Sequence, residues 1–303
     1  MQEGSKKAIA AAFAANLGIA VSKFVGFVFT GSAGLLAEAV HSLADTGNQG
    51  LLFLGGRRAM KERDEDHPFG HDRERYFWAF IVALVLFSMG GLFALYEGIH
   101  KLRHPHETEN VIVAVIILGA AIMMEGFSLR TALKETEHIK TPGMSYWQFI
   151  RTAKHPELPT VLLEDVAAET GLVFAFAGLV LGHVTHEPRW DAVGSISIGV
   201  LLVVVAFVLG VEMKSLLIGE SASPEERVLL ARALRTSKHV DEVIYMYTEH
   251  LGPEVLMVAA KAIFDPTLTA QDVARAIDNA ELRMRGAVPT ARFIFIEPDI
   301  ARA

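Results

Sequence analysis

The chain has no cysteine. That excludes disulfides and thiolate metal centres, and leaves His, Asp, Glu and backbone oxygen as the ligands open to a bound ion. It also lacks an HExxH segment, in which two imidazoles one turn apart hold a catalytic metal beside a general base, so an intramembrane metallohydrolase is not favoured. No basic stripe with interleaved aromatics is present, and 28 Lys and Arg against 35 Asp and Glu give a net charge of −7. Nucleic acid is therefore not an expected partner. There is no internal repeat and no low-complexity segment.

What is abundant is apolar sequence. The hydrophobic share is 51% and the mean hydropathy +0.34, above the roughly 45–50% of an ordinary soluble domain. A hydrocarbon core of about 30 Å needs about 20 apolar residues per helix, and residues 77–96 and 192–211 meet this without a charge. Four further stretches have the length but carry isolated ionisable residues. The expected spans are about 8–30, 33–56, 77–98, 111–133, 160–182 and 191–213, forming a transmembrane domain over residues 1–219. The opening MQEGSKK passes too quickly into apolar sequence for a cleaved signal, so the first span is expected to be retained. Lys6, Lys7, Arg57, Arg58, Arg130 and Lys134 fall in one set of loops, whereas the opposite set holds Lys101, Arg103 and Arg189. Both termini are accordingly expected in the cytoplasm. Residues 144–151 mix aromatic and basic side chains, as suits an interfacial helix or an ordinary loop helix.

From residue 220 to 303 the composition is that of a soluble domain. The pattern predicts a helix at 224–235, strands near 241–249 and 254–264, a helix at 269–285 and a strand at 291–297. The expected fold class is thus an all-α six-helix transmembrane bundle followed by a small α+β (αββαβ, ferredoxin-like) cytoplasmic domain.

Ionisable groups inside a membrane cost several kcal/mol and call for a reason. Glu38, His41 and Asp45 stand at i, i+3 and i+7, on one helical face, with His41 and Asp45 one turn apart. Asp165 and Glu169 are likewise one turn apart, with Glu164 turned roughly 100° away. Imidazole and carboxylate without thiol suits tetrahedral Zn²⁺ and accepts Mn²⁺, Fe²⁺, Co²⁺ or Cd²⁺. The plainer alternative is that these groups pair with Lys23 and hold the bundle together. One lysine cannot neutralise them all.

The segment GSAGLLAEAVHSLADTGNQ at 31–49, DHPFGH at 66–71 and LLIGESA at 216–222 resemble the cation diffusion facilitators, and VLLEDVAA at 161–168 is similar to the branch that includes the animal mitochondrial zinc transporter. The resemblance implies a homodimer of six-span protomers with a cytoplasmic metallochaperone-like domain that exchanges metal for protons. It implies a transport site on His41, Asp45 and Asp165, with Val161 standing where a fourth ligand is expected. Glu164 is favoured to replace it, ahead of Glu169, water or a backbone carbonyl. Glu169 and Glu38 are candidates for a proton route, and Glu38 and Asn48 for supporting contacts. Asp64, His67 and His71 match a secondary loop site. Ala260 and Phe295 replace expected histidines beside Glu297, so no binuclear centre is expected there, and His239 and His250 are expected on the surface. Glu97 and Glu125 are candidates for metal entry or helix pairing, with structural roles favoured for both, and Lys23 is assigned that of a buried counter-ion. The expected function is divalent transition-metal efflux, Zn²⁺/H⁺ antiport first, with the other metals or a membrane-anchored metal sensor as alternatives. The chain is not expected to be an enzyme or to need a cofactor beyond the transported ion. Its expected partners are metal, protons, membrane lipid and a second copy, in a bacterial inner (plasma) membrane.

Overall fold

The computed structural model describes residues 3–300, with side chains from Leu17 onward. The side chains of Lys6 and Lys7 lie outside the described residues. Six long helices carry the apolar sequence: α1 (Glu3–Thr30), α2 (Ala33–Ala59), α3 (Glu74–Arg103), α4 (Val111–Ile139), α6 (Glu157–Thr185) and α7 (Arg189–Ile218), with a short α5 (Tyr146–Thr152) between α4 and α6. By length and apolarity α3, α4, α6 and α7 are each able to cross a membrane. The described apolar part of α1 is Leu17–Thr30, and α2 is as long but bears the polar groups noted above. Several helices run beyond the expected spans, α3 from residue 74 to 103 and α4 to 139. Good helix formers such as Ala132, Leu133, Lys134 and Glu135 continue the turn after the apolar stretch ends.

The bundle is apolar outside as well as inside. Ile112, Met123, Phe127 and Phe207 are each more than 70% exposed, which in water would be unfavourable and in lipid is not. Inside, Leu35, Leu86, Leu118, Leu172, Ile198 and Leu202 form one core. A π-helical segment, Leu86–Leu92, interrupts α3. Close to it α3 and α7 nearly touch backbone to backbone: a Cβ on Gly199 would stand 2.7 Å from the Leu95 amide nitrogen, so only glycine fits. One end of the bundle is fastened by a buried ion pair. Lys101 Nζ donates to Asp191 Oδ2 at 2.7 Å and to the Gly31 carbonyl at 2.8 Å, while Asp191 accepts from the Ala33 amide at 2.8 Å and Ser32 Oγ at 2.7 Å. The free amides at the start of α2 are thereby satisfied by a side chain of α7. Helix α5 begins with a capping box of Ser145 and Gln148 and buries Phe149 and Ile150, leaving Trp147 exposed.

The chain forms two compact units. One comprises Met1–Arg57 with Phe77–Met213, the other Arg58–Tyr76 with Lys214–Ala303. In the second, α8 (Pro224–Arg235) starts with a capping box of Ser223 and Glu226, as the Ser-Pro-Glu-Glu sequence favours. Strands β1 (Val240–Gly252) and β2 (Val255–Phe264) form an antiparallel hairpin, α9 (Ala270–Ala287) crosses over, and β3 (Ala291–Asp299) returns parallel to β2. The sheet order is β1-β2-β3, which gives the αββαβ order expected from the pattern. Leu256, Val258, Ala260 and Ala262 of β2 meet Ala276, Ala280 and Met284 of α9 in the core. The 58–76 loop belongs to this unit: Phe69 packs edge-on to Phe293 at 5.1 Å, Arg63 lies over the same ring, and Arg73 pairs with Glu249.

Candidate functional site

Helix α2 presents Glu38, His41, Ser42, Asp45 and Asn48 to the bundle interior, where Glu38, His41 and Asn48 are fully buried. Three neighbouring helices answer it. From α1, Lys23 Nζ donates to Glu38 Oε2 at 3.1 Å and to Ser42 Oγ at 2.7 Å, and stands 3.9 Å from Glu125 Oε1 of α4. Lys23 is thus the counter-ion expected from the sequence. From α6, Glu164 Oε1 accepts a hydrogen bond from Asn48 Nδ2 at 2.6 Å. Between α4 and α6, Ser128 Oγ donates to Asp165 Oδ2 at 3.2 Å. His41 Nδ1 lies 3.5 Å from Asp45 Oδ1, yet neither ring nitrogen nor that oxygen has a hydrogen-bond partner. Gly90, in the π-helical segment, lies beside the ring: a Cβ there would stand in ordinary contact, 3.9 Å from His41 Nδ1.

A cavity of about 70 Å³ opens among these helices, lined by Ser42, Asp45, Gln49, Glu125, Ser128, Val161, Glu164, Asp165 and Ala168. That exceeds the roughly 10–15 Å³ a single water needs on the same measure, so the cavity has room for a small ion. Asp45, Glu164 and Asp165 line it directly. His41 adjoins it through Asp45. Glu169 lies off the cavity, against Gly126 of α4, and Glu38 is taken up by Lys23. The carboxylates and His41 do not converge to metal-ligand distances, and each carboxylate that lines the cavity from α6 is held by its own neutral donor. Among the described residues Lys23 is the one ammonium beside Glu38, Asp45, Glu125, Glu164 and Asp165, so the carboxyl groups outnumber the cation that could pair with them, and a bound cation would offset the cost of ionising them in a low-dielectric interior. A larger cavity of about 670 Å³ lies at the end of the bundle marked by Asp191, between the start of α4 and the end of α6.

The loop residues are placed differently. Among the described residues, Asp64, His67 and His71 are the group of three whose ligand atoms all lie within 4.8 Å of one another. Asp64 Oδ1 accepts from the His67 backbone amide at 2.6 Å and lies 3.0 Å from His67 Nδ1, while Oδ2 lies 3.2 Å from His71 Nε2. The turn closes at Gly70, whose φ of +97° suits glycine. Partial desolvation works to raise the Asp64 carboxyl, but the hydrogen bonds from His67 and His71 together hold it below the ordinary carboxylate range.

In the sheet, Glu297 accepts from Lys261 at 2.8 Å, with Asp299 3.4 Å from the same ammonium, and the Glu297 hydrogen bond raises Lys261 above the usual lysine value. Ala260 is buried in the core and Phe295 exposed. His250 is not on the surface as expected: it is buried, because the chain at Glu220 crosses its end of β1 and accepts the His250 amide at 2.8 Å. Glu125, a candidate for metal entry or helix pairing, lines the cavity with Ser128 and lies 3.9 Å from Lys23 of α1. The signal was its isolation in the middle of an apolar helix.

The description "Cation efflux transmembrane domain" is that of the family model matching residues 9–218. The human proton-coupled zinc antiporter SLC30A9, mitochondrial, is 33% identical over 80% of this chain and 43% of its own length. Metal tolerance protein C4 of Arabidopsis thaliana is 30% identical over 88% of this chain and 59% of its own length. The chain therefore spans about half the length of these relatives. A nickel form of the MamM C-terminal domain aligns at 12% identity with a TM-score of 0.24, over 25% of this chain and 96% of that one, too weak a likeness to carry an argument.

Proposed function

The chain belongs to the cation efflux family, and from that premise we propose that it exports a divalent transition-metal cation, Zn²⁺ first, in exchange for protons. The observation that carries this reading is the cavity where α2, α4 and α6 meet, with Asp45, Glu164 and Asp165 in its wall and the unpartnered His41 beside Asp45. In this reading His41, Asp45 and Asp165 hold the ion and Glu164, steadied by Asn48, supplies a further contact. Glu38 and Glu169 lie on the proton side of the cycle. Metal requires a neutral imidazole and ionised carboxylates, so loading releases protons and protons discharge the ion. The site faces one side deprotonated, takes up the ion, reorients and is emptied by acid on the other. Asp64, His67 and His71 form an accessory loop site. Residues 1–219 are the transport domain and 220–303 a cytoplasmic domain through which two copies pair. The excess of Arg and Lys at Arg57, Arg58, Arg130 and Lys134 supports cytoplasmic termini, in a bacterial inner membrane. Zinc antiport is also the activity for which the human relative is named.

Purified protein in proteoliposomes enclosing a metal-sensitive dye tests the reading. Zinc uptake driven by an imposed pH gradient, and abolished by Asp45→Asn, is expected. Uptake that ignores the gradient, or survives that substitution, contradicts it, and the same assay with Mn²⁺, Fe²⁺, Co²⁺ and Cd²⁺ ranks the metals.

A further inference from the structure

We propose that Glu125 is a ligand of the transported ion, supplying from α4 the carboxylate that Val161 leaves missing on α6; this rests on the transport-site reading above. Val161 and Glu125 line the same cavity of about 70 Å³, so a carboxylate reaching in from either helix enters the same space. Glu125 follows directly on the apolar run 111–124 of α4, a place where an ionisable side chain inside the bundle calls for a partner. Its neighbour one turn on, Ser128, already donates to Asp165. Helix α4 thus turns one polar face to the cavity.

The ion pairing points the same way. Lys23 makes its short contacts to Glu38 and Ser42, at 3.1 and 2.7 Å, and reaches Glu125 only at 3.9 Å. Glu38 therefore holds the lysine's short contact, and Glu125, 3.9 Å from the same ammonium, is left facing the cavity. An independent sign lies beside the cavity, at His41 and Asp45. His41 is fully buried with both ring nitrogens unpartnered, and Asp45 Oδ1, 3.5 Å from it, is unpartnered too. Buried polar atoms are rarely left so. With the further contact from Glu164, His41, Asp45, Asp165 and Glu125 would draw the donors for the ion from α2, α4 and α6.

Zinc affinity and proteoliposome uptake of Glu125→Gln, Asp45→Asn and Glu125→Gln combined with Val161→Asp test the proposal, with a thermal unfolding curve for each. Glu125→Gln is expected to fold normally and to lose at least the ~10–100-fold in affinity that even an outer-contact loss costs a metal site. Adding Val161→Asp is expected to restore most of it. Wild-type behaviour in Glu125→Gln with loss in Asp45→Asn overturns the role of Glu125 alone. So does a loss in a folded Glu125→Gln that Val161→Asp fails to repair. Full activity in Asp45→Asn sinks the underlying site instead. Should Glu125→Gln not fold, carbodiimide labelling of the unaltered protein decides: zinc is expected to protect Glu125, and labelling indifferent to zinc overturns the proposal.

Discussion

Asp64, His67 and His71 stand on a loop with their ligand atoms within 4.8 Å of one another, and two of the three are more than half exposed. Asp45, Glu164 and Asp165 share a cavity inside the bundle and do not converge. The contrast is one of dielectric. In water, like and unlike charges are brought together or parted for about 1 kcal/mol, and a loop gathers its ligands through local turns and hydrogen bonds. Within a bundle every charge taken from water needs a partner. Asn48 answers Glu164, Ser128 answers Asp165 and Lys23 answers Glu38. Groups answered in that way stay apart, Asp45 on α2 and Glu164 and Asp165 on α6. Under the proposed function that arrangement suits an ion to be taken up and released, and the proposed loop site one that stays.

The largest break in this comparison is expected from Asp45→Asn combined with Asp165→Asn. Zinc affinity of the bundle site should fall by more than the ~10–100-fold cost of losing an outer contact alone, and uptake should vanish while the loop still binds metal, as equilibrium dialysis would show. Smaller is Asn48→Ala, which frees Glu164 without touching a proposed ligand: affinity should drop by ~10–100-fold with little change in unfolding temperature. Unchanged binding would mean that the Asn48 to Glu164 hydrogen bond is packing only.

Asp64→Ala should remove the loop ion and leave uptake near its original rate. The loop also has its own acid response. The Asp64 carboxyl is lower in the folded protein than in the unfolded chain, so its stabilisation is present above the ordinary carboxylate range and is lost as pH falls through the lower native value. NMR of the His67 and His71 rings during acid titration would follow this, and a loop that loosens instead on raising the pH from neutral contradicts it. The smallest effect is expected from Thr269→Ala at the start of α9, where the Thr269 side chain accepts from the Asp272 amide. About 1 kcal/mol of stability should be lost in denaturant unfolding, with transport unaffected.

Much of the architecture was legible because its causes are local. Charge-free runs at 77–96 and 192–211, alternation in β2 and the capping residues Ser223 and Thr269 each act over a few residues. The face shared by Glu38, His41 and Asp45 follows from helical spacing alone. What faces that side chain row does not, since it depends on how α1, α4 and α6 are turned about their axes. The pairs Lys23 with Glu38, Asn48 with Glu164 and Ser128 with Asp165 join residues 15, 116 and 37 positions apart, and no periodicity encodes them. For the same reason the sequence left Glu125 open between metal entry and helix pairing, and His250 read as a surface histidine although it is buried. Phe69 on Phe293 likewise ties a loop between two spans to a strand near the end of the chain, which neither segment announces.

The most direct test of the account is an anomalous-scattering map of zinc-soaked protein. It should place one ion in the cavity within ligand distance of Asp45 and Asp165, and a second at Asp64, His67 and His71. Density at the loop with none in the cavity, under conditions in which the protein transports zinc, would contradict it.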